Sequence, residues 1–177
     1  VFDPFAGEGY SLDVCKPWYR RCLAFDINPS EIATLKGVKK HDITTGIPAV
    51  VRDVKLAFFD PPYWKQLNYG DEPTNFANMP LEDFYKAMSN LFASSLPRLA
   101  DDGVMAFIIQ NSQWKNDKKV EPHSHKLWNL AEDAGFEFDQ FIEVPYSTQQ
   151  YNPQQVNIAK EEKLWLVTNR ELIIFRK

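Results

Sequence analysis

Asp60-Pro61-Pro62-Tyr63 places an acid, two prolines and an aromatic ring in succession, directly after the apolar run Val54-Lys55-Leu56-Ala57-Phe58-Phe59. The run reads as a buried strand. Each proline fixes its own φ and has no N–H, and the residue before each is pushed to extended geometry. The segment is therefore stiff and extended, with carbonyls that can enter neither a helix nor a ladder. An acceptor-rich edge beside a carboxylate and an aromatic face suits a planar ring that carries an –NH2 group.

A second cluster opens the chain. Val1-Phe2-Asp3-Pro4-Phe5-Ala6-Gly7-Glu8-Gly9 reads as a strand end followed by a glycine turn into a helix. Glycine permits positive φ there and lets a ligand approach the backbone. The third glycine of the dinucleotide fingerprint is missing, which argues against a nicotinamide cofactor.

These clusters need a scaffold that brings strand ends together. Strand and helix patterns alternate along the chain, which predicts an α/β fold with a mostly parallel sheet. Strands are expected at 1–3, 21–26, 37–42, 54–60, 104–110 and 136–144, with a seventh inside 163–175, bent or paired as a hairpin around Asn169-Arg170. Helices are expected at 9–18, after Asn28 as cap with Pro29 in the first position, at 81–99, and at 124–134 closed by Gly135. The helix at 81–99 has the clearest period, through Leu81, Phe84, Tyr85, Met88, Leu91, Phe92 and Leu96. Phe136, Phe138 and Phe141 read as core strand residues. Residues 61–80 read as a long loop of the kind that is usually functional or mobile. The last two strands follow one another with no helix expected between them, so the final strand should run antiparallel. Ligands bind open parallel sheets at the carboxyl ends of strands. Asp3, Asp26, Asp42 and Asp60 fall at four successive ends of that kind. Capping preference explains acids at strand ends, but not the adjoining Pro-Pro-Tyr.

A length of 177 residues fits one domain with a sizeable core. No linker, repeat or low-complexity tract divides it. There is no apolar run of membrane-spanning length and no signal peptide, which points to a cytoplasmic protein without a membrane partner. Cys15 and Cys22 read as reduced core thiols. His123 and His125, one residue apart, lie on different sides of a helix, so no metal site is expected. The net charge of −4 and pI near 5.4 are unlike a stand-alone duplex binder, which shows a basic face. Lys115, Lys118 and Lys119 make the best local basic cluster.

At average residue usage the Asp-Pro-Pro-Tyr match arises by chance on the order of once in a thousand chains of this length. With Asp-Pro-Phe-x-Gly-x-Gly before it and this order of elements, the sequence resembles the S-adenosylmethionine-dependent amino-methyltransferases of nucleic acids, the adenine-N6 and cytosine-N4 type, along its whole length. The resemblance implies a Rossmann-like class I methyltransferase fold, seven strands with the last reversed, forming a single catalytic domain over residues 1–177. It implies S-adenosyl-L-methionine as cofactor, its methionine part wrapped by the backbone from Asp3 to Gly9, including Pro4, Phe5 and Gly7. Asp3 would hold the ammonium, and Phe5 would favour the sulfonium. Asp26 would accept from the ribose hydroxyls, Ile27 would pack on adenine, and Asp42 and Ile43 would border its ring.

In the same reading Asp60, Pro61, Pro62 and Tyr63 form the catalytic segment. A base amine is a poor nucleophile because its lone pair is conjugated. Acceptance of its N–H groups by the Asp60 carboxylate and the Pro61 carbonyl frees that pair for attack on the methyl. Tyr63 would stack on the base, and Trp64 would be either a second wall or a core residue at the loop base. Lys115, Lys118 and Lys119 would meet phosphate. Three loops, 61–80, 111–122 and 145–160, should share this face and bring Tyr69, Trp114, Tyr146 and Tyr151. The target would be a flipped or unpaired base in DNA or RNA.

The chain departs from the family pattern in two places. Tyr10 stands where a small hydroxyl residue is common, and the family's element before the first motif is absent. The expectation is a fragment without a target-recognition domain, served by a missing region or partner subunit. Asp at the first position of the second motif leans to adenine N6 in DNA, since cytosine-N4 enzymes more often carry Ser there. RNA amino-methylation, at adenine N6 or guanine N2, uses similar motifs. Protein glutamine methylation usually presents Asn in place of Asp60. A non-catalytic subunit that binds nucleic acid or a partner is the reading outside enzymology.

Overall fold

A computed structural model of the chain describes residues 1–64, 72–113, 120–145, 153–164 and 169–177. Nine strands form among the described residues: β1 (Phe2–Asp3), β2 (Leu23–Asp26), β3 (Lys39–Lys40), β4 (Val54–Phe59), β5 (Leu99–Ile109), β6 (Ser112–Gln113), β7 (Val120–Glu121), β8 (Glu137–Pro145) and β9 (Asn169–Arg176). Five α-helices accompany them: α1 (Tyr10–Cys15), α2 (Glu31–Lys36), α3 (Leu81–Ser95), α4 (His123–Asp133) and α5 (Pro153–Glu162). Seven strands make one sheet in the order β3-β2-β1-β4-β5-β9-β8, and β6 and β7 form a separate hairpin. β1 to β5 are mutually parallel, and β9 runs antiparallel to both β5 and β8. The mostly parallel sheet with a reversed last strand is the architecture expected from the alternation. No helix among the described residues is long and apolar enough to cross a membrane.

The core lies on the face of the sheet that α3 covers. Phe92 stacks on Phe59 and Phe107, with ring centroids 6.1 and 5.4 Å away, and Phe107 stacks on Phe175 at 5.9 Å. Rings from β4 and β5 thus meet the helix, and the ring from β9 extends the stack beyond them. α3 stops at Ser95 rather than running to 99, because Pro97 enters a 3-10 turn, Leu96–Arg98. Proline cannot donate to the previous turn and clashes with its carbonyl. The fifth strand starts at Leu99 rather than at 104, and its register with β4 slips between Val54 and Leu56, opposite Asp102-Gly103. A Cβ on Gly103 would lie 2.8 Å from the Ala100 carbonyl and 2.9 Å from that of Val54, so only glycine fits.

Four expectations need correction. Asn28 does not cap α2. Ser30 does, its hydroxyl accepting from Ala33 N–H at 3.1 Å, while Asn28 N–H turns back to Asp26. Residues 145–160 are not all loop, because α5 separates β8 from β9. Its only apolar residues are Val156, Ile158 and Ala159, too few for a clear period; the start signal was Pro153 at the first position. Phe138 and Phe141 are 41% and 43% exposed, because β8 is the outermost strand. Phe138 finds cover by stacking on Trp128 with centroids 4.0 Å apart. β9 begins at Asn169, and Asn169 and Arg170 already pair with Pro145 and Val144 of β8, so they are strand and not a hairpin turn.

A buried polar cluster ties the β6–β7 hairpin to α3 and α4. The Tyr85 hydroxyl donates to Glu121 Oε1 at 2.7 Å and lies 2.8 Å from His123 Nδ1, and Ser112 Oγ lies 2.9 Å from His123 Nε2. Burial pushes the Glu121 carboxyl up, but Lys126 and Tyr85 outweigh it and hold the group below its ordinary value. Glu121 is therefore the acceptor of the Tyr85 proton. His123 must then donate from Nδ1 and accept at Nε2.

Candidate functional site

The carboxyl edge of the parallel strands gathers the two sequence clusters. A cavity of about 430 Å³ opens there, bordered by Pro4, Phe5, Gly7, Asp26, Ile27, Asp42, Ile43 and Pro62. The size falls within the roughly 300–1,000 Å³ typical of small-ligand sites. All but Asp3 and Gly9 of the residues expected to hold a cofactor therefore line one cavity. Gly9 instead starts α1 in left-handed geometry at φ +80°, where a Cβ would stand 3.1 Å from Val38 Cγ2. It sets how closely α1 approaches the chain that leads from α2 into β3. Gly7, at φ +48°, has no atom within 4 Å of where a Cβ would stand.

Asp3 sits at the end of β1, only 4% exposed, and Oδ1 accepts from Phe5 N–H at 3.0 Å. Burial raises its pKa to about 6, opposed by Ser11 and the Phe5 N–H and reinforced by Asp60 and Asp26. Asp26, at the end of β2, takes Gly7 N–H on Oδ2 and Asn28 N–H on Oδ1, both at 2.9 Å. It thus joins the glycine turn to the start of the next loop. Asp42 caps a 3-10 turn, Ile43–Thr45, through Oδ1 to Thr44 N–H at 2.9 Å. Burial pushes Asp42 up, but bonds from Thr44 and Thr74 prevail and hold it low. Capping is thus real at Asp42, yet the residue also borders the cavity.

Asp60 follows β4 and is partly buried. Burial pushes its carboxyl above the ordinary value, against the pull of the Arg170 guanidinium and a hydrogen bond from the Tyr63 hydroxyl. Arg170 comes from the start of β9, one residue before Glu171, which pairs with Ile109 of β5. Pro61 is buried, and Pro62 and Tyr63 are half-buried. Trp64 does not face the site. It is 8% exposed, its indole N–H donates to the Met79 carbonyl at 2.6 Å, and its ring meets His123 edge-on. The segment needs an anchor for its far end, and Trp64 is that anchor. Lys115, Lys118 and Lys119 lie outside the described residues, as do Tyr69, Trp114, Tyr146 and Tyr151.

Sequence reasoning missed several walls of the cavity. Glu8 and Ser30 join across it, with Ser30 Oγ donating to Glu8 Oε2 at 2.8 Å. His41 borders it, its Nε2 lying 2.7 Å from the Gly46 carbonyl. Thr74, Asn75 and Phe76 close another side. Phe76 meets Phe5 edge-on with centroids 5.0 Å apart. The signal for these three was their place in a loop too long for a simple connection.

No protein-family model matches the sequence, and no curated protein matches it. Solved structures do match. A TehB-like S-adenosylmethionine-dependent methyltransferase from Corynebacterium glutamicum aligns with 99% of this chain and 78% of its own, with a TM-score of 0.58 and 11% identity. TrmN from Thermus thermophilus aligns with 99% of this chain and 43% of its own, at a TM-score of 0.58 and 14% identity. A candidate DNA modification methylase, also from Thermus thermophilus and solved with S-adenosyl-L-methionine, aligns with 77% of this chain and 52% of its own, at a TM-score of 0.52 and 15% identity. The chain spans about half the length of that methylase. At such identities the likeness is one of fold: this chain has the Rossmann-like α/β fold of S-adenosylmethionine-dependent methyltransferases.

Proposed function

We propose that the chain carries the catalytic site of an S-adenosylmethionine-dependent methyltransferase acting on the exocyclic amino group of a nucleic-acid base, with adenine N6 in DNA as the target. The observation that carries this reading is the meeting of two features at one sheet edge. The Asp60-Pro61-Pro62-Tyr63 segment lies there, and its Pro62 borders the cavity that Asp26 and Asp42 also line.

The donor and acceptor set fits the cofactor. Each Asp26 oxygen already holds one backbone N–H, and a carboxylate has about four acceptor sites. Capacity remains for both ribose hydroxyls. Ile27 and Ile43 offer apolar surface to adenine, and Asp42 an acceptor to its amino group. Gly7 keeps the backbone bare toward the ligand, and the Phe5 ring favours a sulfonium. Asp3 has the buried charge that an ammonium would compensate. When bound, the cofactor supplies an activated methyl group.

The remaining work falls to the chain. Asp60 and the Pro61 carbonyl accept the N–H groups of the target amine and so free its lone pair. This stabilisation grows as the nitrogen gains positive charge, which favours the transition state over the ground state. Burial makes the Asp60 carboxylate a better acceptor, and it can take the proton that becomes acidic once the methyl has moved. The Tyr63 hydroxyl orients that carboxylate. A net charge of −4 leaves few phosphate contacts, so the target is unpaired or flipped. Choice of sequence is assigned to a further region or a partner subunit.

Incubation with the cofactor and DNA or RNA, followed by mass spectrometry of nucleosides, tests this. N6-methyladenine should form in DNA with the wild type and not with Asp60→Ala, while the variant keeps its cofactor affinity. Methylation confined to RNA would move the substrate to RNA. Cofactor binding without any methylated nucleoside would refute amine transfer.

A further inference from the structure

The 72–79 segment holds one buried amide of which only half has a structural partner. Asn75 is 2% exposed and borders the cavity. Its backbone is satisfied on both sides, with N–H to the Glu72 carbonyl at 3.0 Å and C=O from Asn78 N–H at 2.9 Å. Its Oδ1 accepts from Ala77 N–H at 3.0 Å. That bond fixes the orientation of the amide, because an N–H cannot point at another donor. The remaining group, Nδ2, is buried and has no hydrogen-bond partner. Buried donors are paired in the great majority of folded proteins, and an orphan calls for an explanation.

The neighbours indicate what is missing. Thr74 lies beside the Asp42 carboxylate and helps hold it low, and Phe76 packs on Phe5. Asn75 thus lies between a residue beside the turn that follows β3 and a residue packed on the first glycine turn, and it borders the same cavity as Asp26. A donor can be satisfied only by an acceptor. On the proposed cofactor the acceptors near Asp42 are the ring nitrogens of adenine and the ribose oxygens. We propose that Asn75 is a cofactor-binding residue, its Nδ2 donating to the adenosine moiety. This inference rests on the cofactor reading given above.

Calorimetric titration with S-adenosylhomocysteine and with 5′-methylthioadenosine, which lacks the amino acid, provides the test. Asn75→Asp keeps an oxygen for Ala77 N–H and removes the donor. Asn75→Ala removes both and serves as the second variant if the buried carboxylate unfolds the loop. Each should weaken both ligands by roughly tenfold or more, the equivalent of one hydrogen bond. Asn75→Ala also takes the acceptor from the buried Ala77 N–H, so its ligand-free melting temperature should fall by the cost of one unsatisfied buried donor, and affinities are compared at a temperature where both proteins are folded. Equal affinities in wild type and variants would overturn the assignment while leaving the cofactor reading intact. Loss confined to S-adenosylhomocysteine would overturn the adenosine contact. Failure of the wild type to bind either ligand would overturn both this inference and the cofactor reading.

Discussion

Replacing Asp3 by Asn should stabilise the ligand-free protein, and only above about pH 5. The Asp3 carboxyl is buried at the end of β1, where burial raises its pKa from the ordinary 3.8 to about 6. The fold therefore favours the protonated acid. Below 3.8 both folded and unfolded chains are protonated, and the fold keeps that stability in full. As pH rises through 6 it is lost, because the folded chain must hold a desolvated charge that water solvates in the unfolded one. The gap between the two values corresponds to about 3 kcal/mol. Asn has the same shape, keeps an oxygen for Phe5 N–H and carries no charge. At pH 8 the variant should melt roughly 6–12 °C higher, at ~2–4 °C per kcal/mol for a chain of this size. At pH 4 the difference should almost vanish. His123 gives an opposite slope. Burial lowers its pKa to about 4 from 6.5, so its contribution is complete above 6.5 and is lost as pH falls through 4, again by about 3 kcal/mol. The two nearly cancel in the wild type, and Asp3→Asn should expose the His123 slope. Urea unfolding of both proteins at pH 4, 6 and 8 measures this. An equal shift at all three values, or destabilisation at pH 8, would refute the assignment of a desolvated Asp3.

Asp26→Ala should weaken S-adenosylhomocysteine by about 1.5–3 kcal/mol, the range for hydrogen bonds to a charged group; unchanged affinity by calorimetry would remove Asp26 from the ribose. Gly9→Ala should lose more than about 1 kcal/mol in denaturant unfolding, because φ is +80° and the new methyl would sit 3.1 Å from Val38 Cγ2 and 3.3 Å from Lys36 Cδ. Gly7→Ala has the same strain in φ but open space around the methyl, so it should cost less stability than Gly9→Ala while still interfering with cofactor binding. A larger stability loss at Gly7 than at Gly9 would reverse their assigned roles.

The sequence by itself determined most of the parallel strands and which acids stand at their carboxyl ends. Alternating apolar runs and helix periods are local signals, and they suffice to locate β1 to β5 along the chain and place Asp3, Asp26, Asp42 and Asp60 at carboxyl ends, while the order of the strands in the sheet comes from the fold. Proline and glycine act on their own φ and on their nearest neighbours, so the stiff Pro61-Pro62 segment and the turn at Gly7 were legible without a fold. Tertiary structure decided whatever depends on residues distant in sequence. Trp64 is an anchor and not a base contact because the Met79 carbonyl happens to meet its indole N–H. Phe138 and Phe141 are exposed because no strand lies beyond β8 among the described residues. The antiparallel β9 was expected from the absence of a helix before it, yet α5 is there; pairing with both β5 and β8 fixes the direction instead. Arg170 reaches Asp60 from across 110 positions of chain, and Asn75 becomes an orphan donor only when folding buries it beside the cavity. Burial and charge proximity are properties of the packed state, which is why the pKa values of Asp3 and His123 could not be read from residue type or spacing.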